Sequence, residues 1–330
     1  MSLTVEVAPG VYWLPVPTPF ALGDVNCYLL TGSPLTLVDT GLNWGTALDR
    51  LELSMAELGL RIEDLELVTI THQHVDHAGL IEFLQRRSGA EVAAFDALLP
   101  WLADEQASAK SEREFAATLL RQHGVPEDVV TVLEAAASNM SAYGSPGTVT
   151  LPLHDGSQLT MGGRQYEVYH RPGHSPSDLV FLDPERHVLL GGDHLIAHIS
   201  SNALVTKPIS GSPDAWRPKP LLSYRQSLQA TRKMPIRLLL AGHGEPIQDH
   251  VALIDRRLSE QRRRARKILG LLADGPRSAH ALSVSLWGRA ALTQTYLTVS
   301  ETLGHLDLLI EDGSVSEAEL DGVSVFSASP

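Results

Sequence analysis

The stretch Thr71–Leu80, THQHVDHAGL, carries three histidines and one aspartate within the six positions from His72 to His77. It follows LELVTI, a nearly continuous apolar run of the kind that forms a buried strand in an α/β sheet. Imidazole and carboxylate groups are poor core material unless something pairs with them. The segment is therefore either a polar surface turn or a metal-holding loop, and the rest of the chain decides which.

Three other places repeat the pattern of an apolar strand running into a polar, glycine-rich loop. They are HRPGHSPSD with His174, LLGGDHL with Asp193 and LLLAGHGEP with His243. A strand end is a rigid mount for a ligand, and glycine lets the backbone turn sharply beneath it. The four sites together offer His72, His74, Asp76, His77, His174, Asp193 and His243. Nitrogen and oxygen donors without a thiolate suit zinc, manganese or iron. Seven donors exceed one tetrahedral ion and suit two ions that share a bridge. His72 and His74 can both reach one ion from an extended segment, while Asp76 and His77 turn toward a second as a helix begins.

Around these loops the chain reads as α/β. VYWLPVP, NCYLLTG and LTLVDTG are expected strands, TALDRLELSMAELGL a helix ending at Gly59, AGLIEFLQRRSG a helix and AEVAAF a strand. From about residue 96 to 148 the pattern becomes helical, interrupted by Pro100 and by the turn HGVPED; it reads as an inserted helical hairpin. Hairpins then follow on Gly162-Gly163 and on DPER. After the strand IRLLLAGHGEPI comes a long helix, DHVALIDRRLSEQRRRARKILGLLADG. Two further helices and the hairpin SVSEAELDGVSVF complete a winged-helix order. The expected division is a catalytic domain over 1–252 and a linker helix plus winged-helix-like domain over 253–330.

The chain has 330 residues, 43% of them hydrophobic and 20% charged, with a formal net charge of −13. That composition is globular, and no apolar run is long enough to span a bilayer, so no membrane partner is expected. The first residues lack a basic start followed by an apolar stretch, and Cys27 is the only cysteine; both fit a cytoplasmic protein. Net negative charge disfavours a polyanionic partner, although RRLSEQRRRARK concentrates seven basic residues. No Lys or Arg follows Arg289, so the tail is expected to pack or dimerise, not to bind nucleic acid. His123, His154, His170, His187, His250, His280 and His305 read as surface or packing residues, and Cys27 as buried core. His194 and His198, just past Asp193, are candidates for substrate contact.

HQHVDH, PGHSPSD, GGDHL and AGHGEP, in that order, resemble the metallo-β-lactamase superfamily over roughly Val5 to Ile254. The resemblance implies a four-layer αβ/βα sandwich with two divalent metal ions at the sheet edges, zinc first, with manganese or iron as alternatives. It implies that His72, His74 and His174 hold one ion, that Asp76, His77 and His243 hold the other, and that Asp193 bridges them. LTLVDTG is similar to the strand whose aspartate, here Asp39, supports the metal loop. An aspartate at the bridge resembles the glyoxalase-II-like branch, and YLTVSETLGHLDLLIEDGSV looks like the winged-helix appendix of a branch of lactamase-like endoribonucleases and bacterial hydrolases. The implied activity is hydrolysis of a small ester, thioester or lactone by a hydroxide between the metals, with Asp76 as the catalytic carboxylate. A metal-dependent endoribonuclease and a nonheme-iron persulfide oxygenase are the alternatives. The insertion is expected to lie over the metals as a lid walled by Trp101, Phe115, Met140 and Tyr143, with Tyr143 and His198 as substrate contacts.

Overall fold

A computed structural model describes residues 3–209 and 217–329. The first sheet has seven strands in sequence order: β1 (Val5–Ala8), β2 (Val11–Val16), β3 (Val25–Leu30), β4 (Thr36–Val38), β5 (Leu67–Thr69), β6 (Glu91–Phe95) and β7 (Leu151–Leu153). Helices α1 (Gly45–Glu57), α2 (Val75–Ala78) and α3 (Ile81–Ser88) connect its central strands. The second sheet contains β8 (Gln158–Met161), β9 (Arg164–His170), β10 (Leu179–Asp183), β11 (Val188–Gly192) and β12 (Leu238–Ala241), in the order β12-β11-β10-β9-β8.

The strand β3, VNCYLL, shows why two sheets stack with helices outside. Every residue in it is buried, and alternate side chains face opposite ways. Tyr28 and Leu30 enter the core between the sheets, with Tyr166, Val168, Phe181 and Leu190. Val25, Cys27 and Leu29 enter a second core against Ala47, Leu51 and Met55 of α1. Cys27 is thus the core residue its sequence context suggested. On the far side, Val180, Leu182 and Leu189 pack against α7 (Pro220–Thr231) and α8 (His250–Leu271) through Tyr224, Leu228 and Ile254. The layers are helix, sheet, sheet, helix.

The insertion contains α4 (Leu99–Ala103), α5 (Glu105–Gln122) and α6 (Glu127–Met140). Pro100 does not break it, contrary to expectation. Proline sits in the first turn of α4, where its missing N–H costs nothing, and the chain bends instead at Asp104, whose side chain caps α5 through Ala107 N. The chain ends with β13 (Arg277–Ser278), α9 (Ala279–Trp287), α10 (Ala290–Thr293), α11 (Thr295–Glu311), β14 (Val315–Leu320) and β15 (Val323–Ala328), the strands forming a small antiparallel sheet.

Where the insertion lies is a correction. Ala117, Leu119, Leu120, Val125 and Val130 of the insertion share one core with Ile268, Leu282, Val299, Leu303 and Phe326 of the C-terminal elements. Phe115 packs on that core, and Trp101 packs on another with Ile70 and Ile81. The buried apolar residues of α5 and α6 thereby pack on the tail. Helix α8 runs through the expected boundary at 252/253, with Leu253, Ile254 and Leu258 on the sandwich and Ala265 and Ile268 in the C-terminal core.

Candidate metal centre

Four strand ends meet at one edge of the sandwich. The parallel pair β4–β5 delivers Asp39 and Thr71 side by side, and the parallel pair β11–β12 does the same for Asp193 and Gly242. The sheets are stitched together there. Asn26 Nδ2 donates to the carbonyls of Ala241 (2.9 Å) and Gly244 (2.8 Å), Tyr28 Oη donates to Ala241 O (2.7 Å), and Leu179 N donates to Thr71 O (2.9 Å).

The seven predicted donors converge. His72 Nε2 and His174 Nε2 lie 2.9 and 3.0 Å from His74 Nδ1. His243 Nε2 lies 3.3 Å from Asp76 Oδ2, and His77 Nε2 lies 3.9 Å from the same oxygen. Asp193 stands between the groups, its oxygens 3.5 Å from His77 Nε2 and 3.6 Å from both His174 Nε2 and His243 Nε2. Donor atoms of His72, His74 and His174 lie within 4.8 Å of one another, as do those of Asp76, His77 and His243.

The distal ring atoms are tethered. Asp39 accepts from His77 Nδ1 (2.8 Å) and from Thr71 N (2.7 Å), with the Thr71 hydroxyl 3.0 Å away. It does so from a left-handed backbone conformation, φ 62°, that few non-glycine residues adopt. His243 Nδ1 meets Asp24 O at 2.8 Å, and His174 Nδ1 meets Asn202 O at 3.1 Å. These contacts aim the opposite nitrogens inward, as a metal ligand needs.

Electrostatics point the same way. Burial and the neighbouring imidazoles hold His72 and His74 well below the ordinary histidine range, His74 at about 3, so both are neutral lone-pair donors. Burial works against charge on Asp193, yet His77 and His243 outweigh it and keep the carboxyl well below its usual range. Asp76 is likewise lowered despite burial, through His77 and His243. Burial opposes a charge on His77, but Asp193, Asp39 and Asp76 together push it well above its usual range. Three buried carboxylates thus call for positive charge.

His77 Nε2, Asp193 Oδ1 and His243 Nε2 are buried without a hydrogen-bond partner. Buried polar atoms without a hydrogen-bond partner, gathered around Asp193, are what a bound cation would satisfy. Gly242 keeps that point open, because a Cβ there would lie 2.3 Å from Asp193 Oδ1 and 2.7 Å from the His77 ring. The donor set fits divalent metal.

A cavity of about 700 Å³ adjoins the cluster, lined by His174 and Asp193. Its walls are Phe20 and Leu22 from the β2–β3 loop, Ile196 and Ile199 after Asp193, and Trp287 and Leu297 from the tail. Trp101, Phe115 and Met140 are not among them, and Met140 instead lines a separate groove between α5 and α6. Tyr143 stands behind Phe20, the rings 6.3 Å apart and edge-on. His198 is exposed and packs against Gly244, beside His243. His194 is not a surface contact: it is fully buried, its Nε2 2.9 Å from Thr231 Oγ1, and burial pushes its pKa down to about 3. Of the remaining histidines, His123 stacks on Phe326 and His170 on Phe95, both packing roles.

Sequence reasoning missed Arg257. This buried side chain donates to the carbonyls of Ile196 (3.1 Å), Ala197 (3.1 Å) and Ile199 (2.6 Å), fixing the wall segment after Asp193. It sits inside the basic run that reads as a solvated face, and only burial at every third or fourth position of α8 distinguishes it.

A family model described as the metallo-beta-lactamase superfamily matches residues 21–243. This chain belongs to the metallo-beta-lactamase superfamily. Members generally bind two divalent metals, and this one is a metal-dependent hydrolase. The hydrolase is 33% identical over 301 residues to a probable metallo-hydrolase, YqjP, of Bacillus subtilis, covering 91% of this chain and 92% of that protein. A metallo-beta-lactamase family protein from Thermus thermophilus, TTHA1429, superposes with a TM-score of 0.82 at 32% identity, over 98% of this chain and 100% of that one. The human acyl-coenzyme A thioesterase MBLAC2 is 27% identical over 199 residues, covering 57% of this chain and 64% of that protein. Among the described residues, no helix is long and apolar enough to cross a membrane.

Proposed function

We propose that the protein hydrolyses a thioester, with a dinuclear metal centre as its catalytic apparatus. The observation that carries this reading is the meeting of two donor triads through Asp193 beside a mostly apolar cavity. In this reading His72, His74 and His174 would hold one ion and Asp76, His77 and His243 the other, with Asp193 available to both. Two such cations would supply Lewis acidity, lowering the pKa of water and polarising a carbonyl. Asp76, kept ionised by His77 and His243, orients the attacking water and passes its proton to the leaving group. The apolar walls take the acyl or thiol arm, with Tyr143 behind Phe20 and His198 near the mouth.

The acyl-coenzyme A thioesterase among its relatives supports thioester over lactone. An endoribonuclease would need a long cationic groove. Here Arg257 is spent on backbone carbonyls, and Arg264, the cation among the cavity's lining residues, is paired with Glu301. The C-terminal unit, which this proposal reads as a winged helix, serves to wall the cavity, not to read nucleic acid. A cytoplasmic location and a small-molecule substrate belong to the same reading.

The test is hydrolysis of an acyl thioester, a lactone and single-stranded RNA by metal-reconstituted protein, beside Asp76→Ala. Thioester turnover that falls at least 100-fold in Asp76→Ala is expected. Cleavage of RNA alone, or one bound iron without any hydrolysis, would overturn the proposal.

A further inference from the structure

Beyond the metal cavity, and joined to it through Arg264 and Trp287, lies a recess of about 300 Å³. It is lined by Arg263, Arg264 and Lys267 of α8, with Glu260, and by Leu286 and Trp287 of α9. We propose that this recess binds the phosphate-bearing end of the thiol arm of a thioester substrate. The inference rests on the thioesterase reading and adds to it what the leaving group must carry.

Charge makes the recess unusual. The chain has a formal net charge of −13, so a phosphorylated substrate approaching the cavity meets repulsion unless local cations offset it. Glu260 pairs first with Arg257 at 3.1 Å and reaches Arg263 only at 4.0 Å, while Glu301 takes Arg264. Lys267 makes no ion pair among the described residues, and the Arg263 side chain is 65% exposed, which leaves its donors open to a ligand. The Arg264 guanidinium lies 5.6 Å from the Trp287 ring centroid, so the ring and the cation are already assembled as one wall. Arginine forks and a lysine ammonium around a flat aromatic ring suit a phosphate next to a planar or extended organic group.

Geometry sets the length of the ligand. Arg257 anchors α8 to the residues just after Asp193, and the helix then carries Lys267 about 15 Å farther along its axis. A small ester or lactone held beside Asp193 has no group to run from Ile199 along the wall to the α8 cations. A pantetheine-type arm, lying along Ile199 and Leu297, would bring its phosphate to the recess. No Lys or Arg follows Arg289, so no track of cations continues along the tail for a polynucleotide.

The experiment compares three thioesters of one acyl group on the metal-loaded protein: acyl-pantetheine, acyl-4′-phosphopantetheine and acyl-coenzyme A. Each is assayed with wild type and with Arg263→Glu/Lys267→Glu, and calorimetry follows binding of adenosine 3′,5′-bisphosphate, which has no thiol to reach the metals. The expected result is a wild-type kcat/KM at least tenfold higher for a phosphorylated thioester than for acyl-pantetheine, with that ratio falling at least tenfold in the variant and nucleotide binding weakened alongside. A loss for both phosphorylated substrates places the arm's first phosphate in the recess, as on a carrier protein. A loss for acyl-coenzyme A alone places the nucleotide phosphates there. Hydrolysis of all three thioesters with an unchanged ratio in the variant would overturn the inference and leave the thioesterase reading standing. RNA cleavage with no thioester turned over would overturn both.

Discussion

Replacing Arg257 with methionine tests whether the wall after Asp193 is held as the structure indicates. Arg257 is 8% exposed, and its guanidinium donates to three carbonyls, those of Ile196, Ala197 and Ile199, at 2.6–3.1 Å. Methionine keeps much of the hydrocarbon stem and removes every donor. A buried acceptor left without a partner costs about 1–3 kcal/mol. The segment is partly open at Ile199, so water can repair some of the loss, and roughly 1 kcal/mol for each of three carbonyls gives about 3 kcal/mol in all. Ile196 and Ile199 also line the cavity, so the same change should raise KM more than it lowers kcat. Arg257→Lys keeps one charge but not the fork, and should fall between. Urea unfolding followed by circular dichroism, together with thioester kinetics, measures both effects. An Arg257→Met protein within about 1 kcal/mol of wild type, with unchanged KM, would refute the clamp, since an unsatisfied triad cannot cost so little.

Other expectations follow from the same geometry. Asp39→Asn, which cannot accept from both Thr71 and His77 as a carboxylate does, should weaken metal binding about 10–100-fold in a competition titration with a chromophoric chelator. Gly242→Ala places a methyl group 2.3 Å from Asp193 Oδ1 and should reduce metal bound per chain, measured by elemental analysis, while leaving the circular dichroism spectrum intact. Burial pushes Glu112 up to about 7. A raised carboxyl contributes stability that is complete below its unfolded pKa near 4.5 and lost as pH rises through 7, an effect of about 2–3 kcal/mol. Glu112→Gln should therefore gain stability relative to wild type between pH 5 and pH 8 in urea titrations, and an equal slope for the two proteins would contradict it.

The seven clustered side chains were legible as candidates because ligand chemistry at strand ends is local. A histidine-rich loop after LVTI, and lone His174, Asp193 and His243 after apolar strands, need no knowledge of distant contacts. Their convergence is a consequence of sheet register, with Gly192 facing Ala241 and Val38 facing Thr69. The walls were not legible. A long helical insertion beside a metal motif suggests a lid, but α5 and α6 bury Leu120 and Val130 against Val299 and Phe326, a pairing that no local pattern encodes. Leu221, Tyr224 and Leu228 of α7 do carry a helical spacing, and Lys219-Pro220 a helix start, yet the proline-rich stretch before them obscured it. Arg257 reads as one more solvated cation until the loop it holds is placed beside it.

The central claim is a two-metal centre built by two triads that share Asp193. The most direct measurement is metal content per chain after reconstitution for wild type, His174→Ala and His243→Ala, each checked for folding by circular dichroism. The account predicts about two ions in wild type and about one in each variant. A single ion in all three proteins, or full loading in both variants, would contradict it.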